Sequence, residues 1–354
     1  MNVLWISPGF AANEEDTTCI PALQLLATEL KSRGTDLYII TLAYPKFSNP
    51  YFWNSISVKS SYGMPGDFLK WLNWIRAFRY GLNLIKEKKI DIIHSFWLGP
   101  GWLIGKYLAK KCSVPHITTL MGQDVLKSNN YIHLIQSADV NKLVSVSQLQ
   151  ANEFYKTCGL YPSTIIEWGL RSSDKILKVD AKRTIDIIGC GSLIEIKNWM
   201  LWIDTVTQVI SRNKTIQAII IGDGPEKNKI QNRIREYRLQ NNIRLVGSLP
   251  RADVLNYMAQ SKVFLHASTF ESYGMVIPEA FSMGCHVVST PVGIAENYGK
   301  TGKTVEELHV AVMESLKNES KNNIEMTPDI KNTAKQYLGF YEMQVKSFKK
   351  KGSS

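Results

Sequence analysis

The chain has 354 residues, 44% hydrophobic and 21% charged, with a formal net charge of +11 at pH 7. That length exceeds one ordinary core and predicts two domains, while the composition excludes a disordered or collagen-like chain. No apolar run reaches the roughly 18 residues that cross a bilayer, which excludes a membrane-spanning helix.

The opening MNVLWISPGF lacks the basic leader, long apolar stretch and cleavage site of a signal peptide, and Asn2–Ser7 reads as a buried strand. A helix over Cys19–Arg33 and a strand over Asp36–Leu42 follow. Residues 59–111 hold ten Lys/Arg against three Asp/Glu, a local charge of +7. Within them Asp67–Lys89 interleaves Trp, Phe and Leu with basic residues, its apolar positions 68, 71, 72, 75, 78, 82 and 85 keeping helical spacing. Two readings stay open for this helix. Either it lies on an anionic membrane surface through Lys70, Arg76, Arg79, Lys86, Lys88 and Lys89, or it is a packed helix with a basic solvent face. Strands at Ile90–Phe96, His116–Leu120, Lys142–Val146 and Thr164–Ile166, with a helix at Trp102–Lys111, complete a first half, residues 1–168. The polar stretch Trp168–Arg183 reads as a linker. The second half, residues 169–326, repeats the alternation with strands at Ile185–Gly189, Ile216–Ile221, Ile243–Val246, Val263–His266 and Val287–Ser289. Such alternation specifies mostly parallel, doubly wound sheets. A helical tail spans 327–350. The cysteines at 19, 112, 158, 190 and 285 are scattered, with no Cys-x-x-Cys and no His cluster, which argues for reduced thiols in a cytoplasm and against a zinc site.

The densest signal is His266–Gly293. Glu271 ends a loop after an apolar strand, Gly274 permits a tight turn, and Glu279 lies in the helix that Gly284 closes. A carboxylate at a strand's carboxyl end beside the free amides of a helix start suits an anionic ligand such as a diphosphate. Eight helical residues span about 12 Å, roughly the reach from the sugar to the ribose of a nucleotide sugar. Two solvated glutamates on an ordinary α/β unit are the plain alternative.

This stretch, Glu271-Ser-Tyr-Gly-Met followed by Glu279-Ala280, resembles the Glu-x7-Glu signature of the family 4 retaining glycosyltransferases, which have the GT-B fold of two Rossmann-like domains facing a central cleft. The resemblance implies Glu271 as the catalytic carboxylate, Glu279 on the ribose, and Tyr273, Gly274 and Met275 at the donor. Gly191-Ser192-Leu193 with Lys197-Asn198 resembles the family's Gly-Arg-Leu and Lys-Gly landmark. It implies Lys197 as a diphosphate ligand, with Ser192 standing where an arginine is usual. A serine cannot replace a guanidinium, so helix amides, Arg171 or Arg251 would carry the rest. Ile219–Glu226 (IIIGDGPE) resembles a family segment that mainly shapes the sheet edge, and Leu245–Asp253 resembles the loop whose backbone meets the base.

In the first half, Asp91–Phe96 and Thr118–Val125 also resemble family segments. Gly122 and Asp124 keep their places, but Met121 stands where a sugar-contacting histidine is usual, and a thioether cannot donate that bond. Asp124 either binds substrate or caps the next turn. The first loop offers only Gly9 for close backbone access, and Glu14, Glu15 and Asp16 either meet acceptor hydroxyls or form a solvated acidic loop.

The resemblance therefore implies transfer of a sugar from a nucleotide-sugar donor to a glycan or lipid-linked acceptor, in a cytoplasmic protein that is either free or peripheral on the membrane. With no Asp-x-Asp, no obligatory metal and no other cofactor is expected, and no motif suggests nucleic acid. Gly189-x-Gly191 keeps open an NAD-dependent oxidoreductase, although the third glycine of that fingerprint is Ile194. Ser192 and Met121 keep open a binding scaffold without catalysis.

Overall fold

The computed structural model describes residues 1–47, 49–62, 70–171, 183–318 and 327–352. The chain divides into two compact units, Met1–Gly169 with Ile330–Ser354, and Leu170–Asp329.

The first unit runs β1 (Asn2–Gly9), α1 (Pro21–Ser32), β2 (Asp36–Tyr44), β3 (Tyr51–Trp53), β4 (Ile56–Ser60), α2 (Lys70–Lys88), β5 (Ile92–Phe96), α3 (Pro100–Cys112), β6 (His116–Thr119), β7 (Leu143–Ser145), α4 (Gln148–Cys158) and β8 (Thr164–Ile165). Its sheet is ordered β3-β4-β2-β1-β5-β6-β7-β8, parallel except for the β3–β4 pair. Val3–Ile6 of β1 is wholly buried, because helices cover both faces of a parallel sheet. The β3–β4 hairpin is an addition to the sequence reading, which left 51–60 without strands. Tyr51–Trp53 is a three-residue edge strand with Phe52 71% exposed, too short to read as a strand of the core.

The second unit runs β9 (Ile185–Cys190), α5 (Trp199–Arg212), β10 (Ala218–Ile221), α6 (Lys227–Glu236), β11 (Ile243–Gly247), α7 (Arg251–Ala259), β12 (Ser261–His266), α8 (Val276–Ser282), β13 (His286–Ser289), β14 (Gly299–Thr301) and α9 (Val305–Lys317). All its pairings are parallel, in the order β11-β10-β9-β12-β13-β14. From β9 the chain builds outward through β10 and β11, then returns to place β12 on the other side of β9. The loops after β9 and β12 therefore leave neighbouring strands in opposite directions, and a crevice opens between them at their carboxyl ends. Beneath it, Trp202, Ile203, Val206 and Ile210 of α5 pack on Ile187 and Val263. Each such buried side chain contributes about 1.5–3 kcal/mol.

The tail helix α10 (Ile330–Gly352) belongs to the first unit. Its Tyr337 and Tyr341 are fully buried there. The Tyr341 hydroxyl meets Trp5 Nε1 at 3.3 Å and His94 Nδ1 at 2.7 Å, while Thr119 Oγ1 joins His94 Nε2 at 2.8 Å and Tyr337 at 3.0 Å. A buried polar network of this kind fixes the helix register, because an unmatched hydroxyl there would be costly. Of the expected linker, Trp168 is buried, Leu170 bridges to Asp329, and residues 172–182 lie outside the described residues. Asp67–Leu69, the start of the expected basic helix, lie outside them too.

Candidate functional site

The crevice at the carboxyl ends of β9 and β12 gathers the second-unit residues singled out from the sequence. After β9, the chain turns at Gly191 (φ +152°), and a short 3-10 turn over Glu195–Lys197 precedes α5. Asn198, left-handed at φ 48°, closes that turn and caps α5 by accepting the Leu201 N–H. Asparagine tolerates this conformation, which explains why it can stand where the family's glycine does. After β12, Thr269 donates its backbone N–H to the Ile196 carbonyl at 2.8 Å, tying the two loops together.

The tie brings Lys197 onto Glu271. Glu271 Oε1 accepts from Lys197 Nζ, from His266 Nε2 at 3.0 Å and from Ser268 Oγ at 2.9 Å. Burial opposes ionisation of this carboxyl, yet the His266 hydrogen bond and the Lys197 charge outweigh it and hold its pKa down to about 2. Glu271 is thus a firmly ionised, nearly buried carboxylate. His266 and Ser268 were not among the residues chosen from the sequence, although both lie within five positions of Glu271. His266 is held in turn, its carbonyl accepting the Thr290 N–H at 2.9 Å.

The turn between the two glutamates depends on glycine. Gly274 has φ +84°, and a Cβ there would stand 2.9 Å from Ile277 Cδ1. Gly293 has φ +56° and lies so close to the Tyr273 carbonyl that any Cβ would collide with it. Tyr273 itself is buried, with its carbonyl accepting the Ile294 N–H, so its side chain is part of the support for the turn. Met275 leads into α8, where Glu279 sits in the first turn.

Glu279 pairs with Arg251 Nε at 2.8 Å, both side chains largely buried. Arg251, which the sequence offered as a further cation for the phosphate, reaches Glu279 through its Nε from the start of α7. Cys190, the last residue of β9, feels the charge of a residue from each cluster. Burial and the Glu279 charge push its thiol up, against Lys197, to about 12, so it stays a neutral thiol.

The remaining landmarks behave as framework. Ser192 is exposed and its carbonyl accepts Trp199 Nε1 at 3.1 Å. In the Gly222-Asp-Gly224 turn, a Cβ on Gly222 would lie 1.9 Å from the Gly191 carbonyl oxygen and one on Gly224 2.6 Å from that of Leu193. These glycines let one loop nest on the other. Gly189 lies within β9, where a Cβ would stand 2.6 Å from Trp202 Nε1. It is a packing glycine inside a strand, and α5 begins only at Trp199, so the segment lacks the strand–turn–helix geometry of a dinucleotide fingerprint.

In the first unit, Asp124 braces a turn. Its oxygens accept the N–H of Leu98 at 2.8 Å, Gly122 at 2.7 Å and Met121 at 3.2 Å. It lies inside the 3-10 turn and accepts from N–H groups that precede it, so it braces the turn without capping it. Met121 is half-buried beside it. Gly9 is buried, and a Cβ there would meet Tyr44 Cβ at 3.2 Å and Cys19 Sγ at 3.3 Å, so its smallness serves strand packing. Two of the three acids of this loop are engaged: Asp16 accepts from Ala12 N and the Tyr44 hydroxyl, and Glu14 from Asn54 N. Among the described residues no group of three His, Cys, Asp or Glu side chains converges to hold a metal ion, and no helix is long and apolar enough to cross a membrane.

Two family models match the chain. Residues 10–178 match "Glycosyl transferase 4-like" and residues 184–318 match "Glycosyl transferases group 1". An uncharacterized glycosyltransferase of Methanocaldococcus jannaschii is 27% identical over 224 residues, 62% of this chain and 61% of that one. The phosphatidylinositol N-acetylglucosaminyltransferase gpi3 subunit of Schizosaccharomyces pombe is 24% identical over 289 residues, 76% of this chain and 61% of that one. The matched region thus spans about three fifths of the length of these relatives. Among solved structures, an Anabaena protein in complex with UDP and glucose superposes with a TM-score of 0.64 at 17% identity, covering 99% of both chains. That likeness is one of fold.

Proposed function

Because the chain belongs to the family 4 type of glycosyltransferases, with the GT-B fold, we propose that it transfers a sugar from a nucleotide-sugar donor to an acceptor hydroxyl, with retention at the anomeric carbon, in glycan or glycolipid assembly. The observation that carries this reading is the pair of glutamates at one crevice, Glu271 held by Lys197, His266 and Ser268, and Glu279 held by Arg251.

The donor lies in the crevice of the second unit. Glu279 accepts from the ribose hydroxyls. Lys197, with the backbone amides of Gly274 and Met275, takes the diphosphate. Lys197 is paired with Glu271, so binding a diphosphate exchanges one anionic partner for another. Lys197 then stabilises the charge that grows on the departing phosphate oxygen in a water-poor site. The acceptor oxygen attacks the anomeric carbon on the face the diphosphate leaves. The C–O bond to phosphate breaks, its electron pair stays on the phosphate oxygen, and that oxygen takes the acceptor's proton. Glu271, ionised by its three donors, offsets the positive charge that builds on the sugar ring. No metal and no other cofactor enters this scheme. Ser192 leaves the diphosphate one cation short of the family pattern, and Met121 cannot donate the bond of the family's histidine, so the donor lacks that hydroxyl, another group binds it, or Met121 simply packs.

The first unit recognises the acceptor. The relative named for phosphatidylinositol, together with the exposed Trp71 at the start of basic α2, supports a lipid-linked acceptor and a protein that works in the cytoplasm against an anionic membrane surface. No nucleic acid is needed by this reading. A thermal-shift panel of nucleoside diphosphates and nucleotide sugars tests it, because a ligand that binds only the native state raises stability with its affinity. Stabilisation by at least one nucleotide sugar and by its diphosphate is expected. Stabilisation by NAD alone would favour the oxidoreductase and overturn the proposal.

A further inference from the structure

A hollow of about 550 Å³ opens between α2 and α3 in the first unit, away from every residue assigned above. Trp74 and Phe78 of α2 form one wall and Leu103 and Tyr107 of α3 the other, with Lys110 and Lys111 at one end. The Lys111 ammonium stands 5.9 Å from the centroid of Phe78, over its ring. Among the described residues no acidic one lines the hollow.

Helical geometry makes the hollow the inner edge of a wider apolar face. At about 100° per residue, Ala77 and Gly81 point to the core, Trp74 and Phe78 come next around α2, and Trp71 and Ile75 beyond them. Trp71 is 51% exposed, Ile75 41% and Tyr107 63%. Large apolar side chains clustered in the open mark a binding surface. The chemistry of the walls narrows the occupant. A peptide strand would bring N–H and C=O groups against walls that offer them almost no partners, at a cost of about 1–3 kcal/mol for each one left unmatched. A hydrocarbon chain brings none. The two lysines ask for an anion at the end of that chain.

We propose that this groove binds one acyl chain of an anionic phospholipid, with its phosphate between Lys110 and Lys111. The inference rests on the reading of the protein as peripheral on an anionic membrane, and it replaces diffuse attraction by a defined site. It also separates this lipid from the acceptor. Helix α3 starts at Pro100, just after the carboxyl end of β5, and Lys110 lies about 15 Å further along at 1.5 Å per residue. A headgroup held there is at the opposite end of the sheet from Gly122 and the other loops at the carboxyl ends of the strands. This lipid is an anchor and not a substrate.

The test uses the full chain and three soluble probes: monomeric dihexanoyl phosphatidylglycerol, dihexanoyl phosphatidylcholine and glycerol phosphate. Saturable binding of phosphatidylglycerol is expected, with weaker binding of phosphatidylcholine and none of glycerol phosphate. Lys110→Gln with Lys111→Gln, both exposed, should lose about thirty-fold in affinity for phosphatidylglycerol vesicles, the worth of two cations near such a surface. Vesicles with brominated acyl chains should quench wild-type fluorescence more than that of Trp74→Phe. Equal binding of glycerol phosphate and the lipid, unchanged affinity in the double variant, or equal quenching of Trp74→Phe would each overturn the groove. Nucleotide-sugar stabilisation in the same samples reports separately on the transferase reading, so the two can fail independently.

Discussion

Replacing Glu271 by glutamine removes one charge and keeps the shape. The wild-type carboxyl is held near 2 from an ordinary 4.5. At 1.36 kcal/mol for each unit, this is about 3 kcal/mol of preferential stabilisation of the ionised form. Its side chain is only 14% exposed, so solvent screens little of that. The sign follows from linkage. A carboxyl whose folded pKa is depressed contributes its full stability above pH 4.5, and loses it as pH falls from 4.5 towards 2. Glutamine still accepts from His266 and Ser268, but it gives Lys197 no counter-charge. Urea unfolding at pH 7 should therefore show Glu271→Gln less stable by up to about 3 kcal/mol. The gap should close as both proteins are titrated from pH 4.5 downward. A gap that stays constant down to pH 2.5 would refute the argument, because it would show that the charge of Glu271 is not what the cluster stabilises.

Lys197→Ala should weaken nucleoside-diphosphate binding about 10- to 100-fold, the worth of one charge-assisted hydrogen bond, and leave the free nucleoside nearly unaffected; calorimetry on both ligands checks the difference. Arg251→Ala removes the counter-charge that Arg251 gives the nearly buried Glu279 and should cost up to about 3–5 kcal/mol in urea unfolding. The double variant Arg251→Ala/Glu279→Ala should recover part of that loss, as a double-mutant cycle would read out. His116, lowered to about 3 by burial and by Lys142, is neutral in the folded chain. Its contribution is complete above pH 6.5 and is lost as pH falls from 6.5 to about 3, by up to about 1.4 kcal/mol per pH unit. His116→Gln should flatten the acid dependence of unfolding over that window.

Most of this fold is legible in the sequence because buried parallel strands need apolar residues on both faces. Asn2–Ser7, Ile216–Ile221 and Val263–His266 announce themselves that way, and each falls within a strand or overlaps one. The elements that escape are edges. The β3–β4 hairpin and β14 are short and face solvent on one side or both, and Gly299–Thr301 is exposed throughout. Nothing apolar in Gly-Lys-Thr marks a strand; its pairing with β13 is decided by tertiary context.

The site divides along the same line. Glu271, Gly274 and Glu279 form a local pattern and are visible as one. Their pairing with Lys197 and Arg251 is not. Lys197 is 74 positions from Glu271 and Arg251 is 28 from Glu279, and only the crossover that sets β12 beside β9 brings them together. His266 carried a usable signal, since a polar residue at the last position of an apolar strand, five before a carboxylate, points to that loop. Gly9 carries a second constraint that the sequence does not show, the close passage of Tyr44 and Cys19.

The central claim is sugar transfer from a nucleotide donor with retention, carried by Glu271. Its most direct test is proton NMR of the full chain with the nucleotide sugar that gives the largest thermal shift and a lipid-linked or glycan acceptor, following the anomeric proton and release of the nucleoside diphosphate. Stoichiometric release with a product of the donor's own anomeric configuration is expected, and neither in Glu271→Gln although that variant still binds the nucleoside diphosphate. A product of inverted configuration, or wild-type turnover in Glu271→Gln, would contradict it.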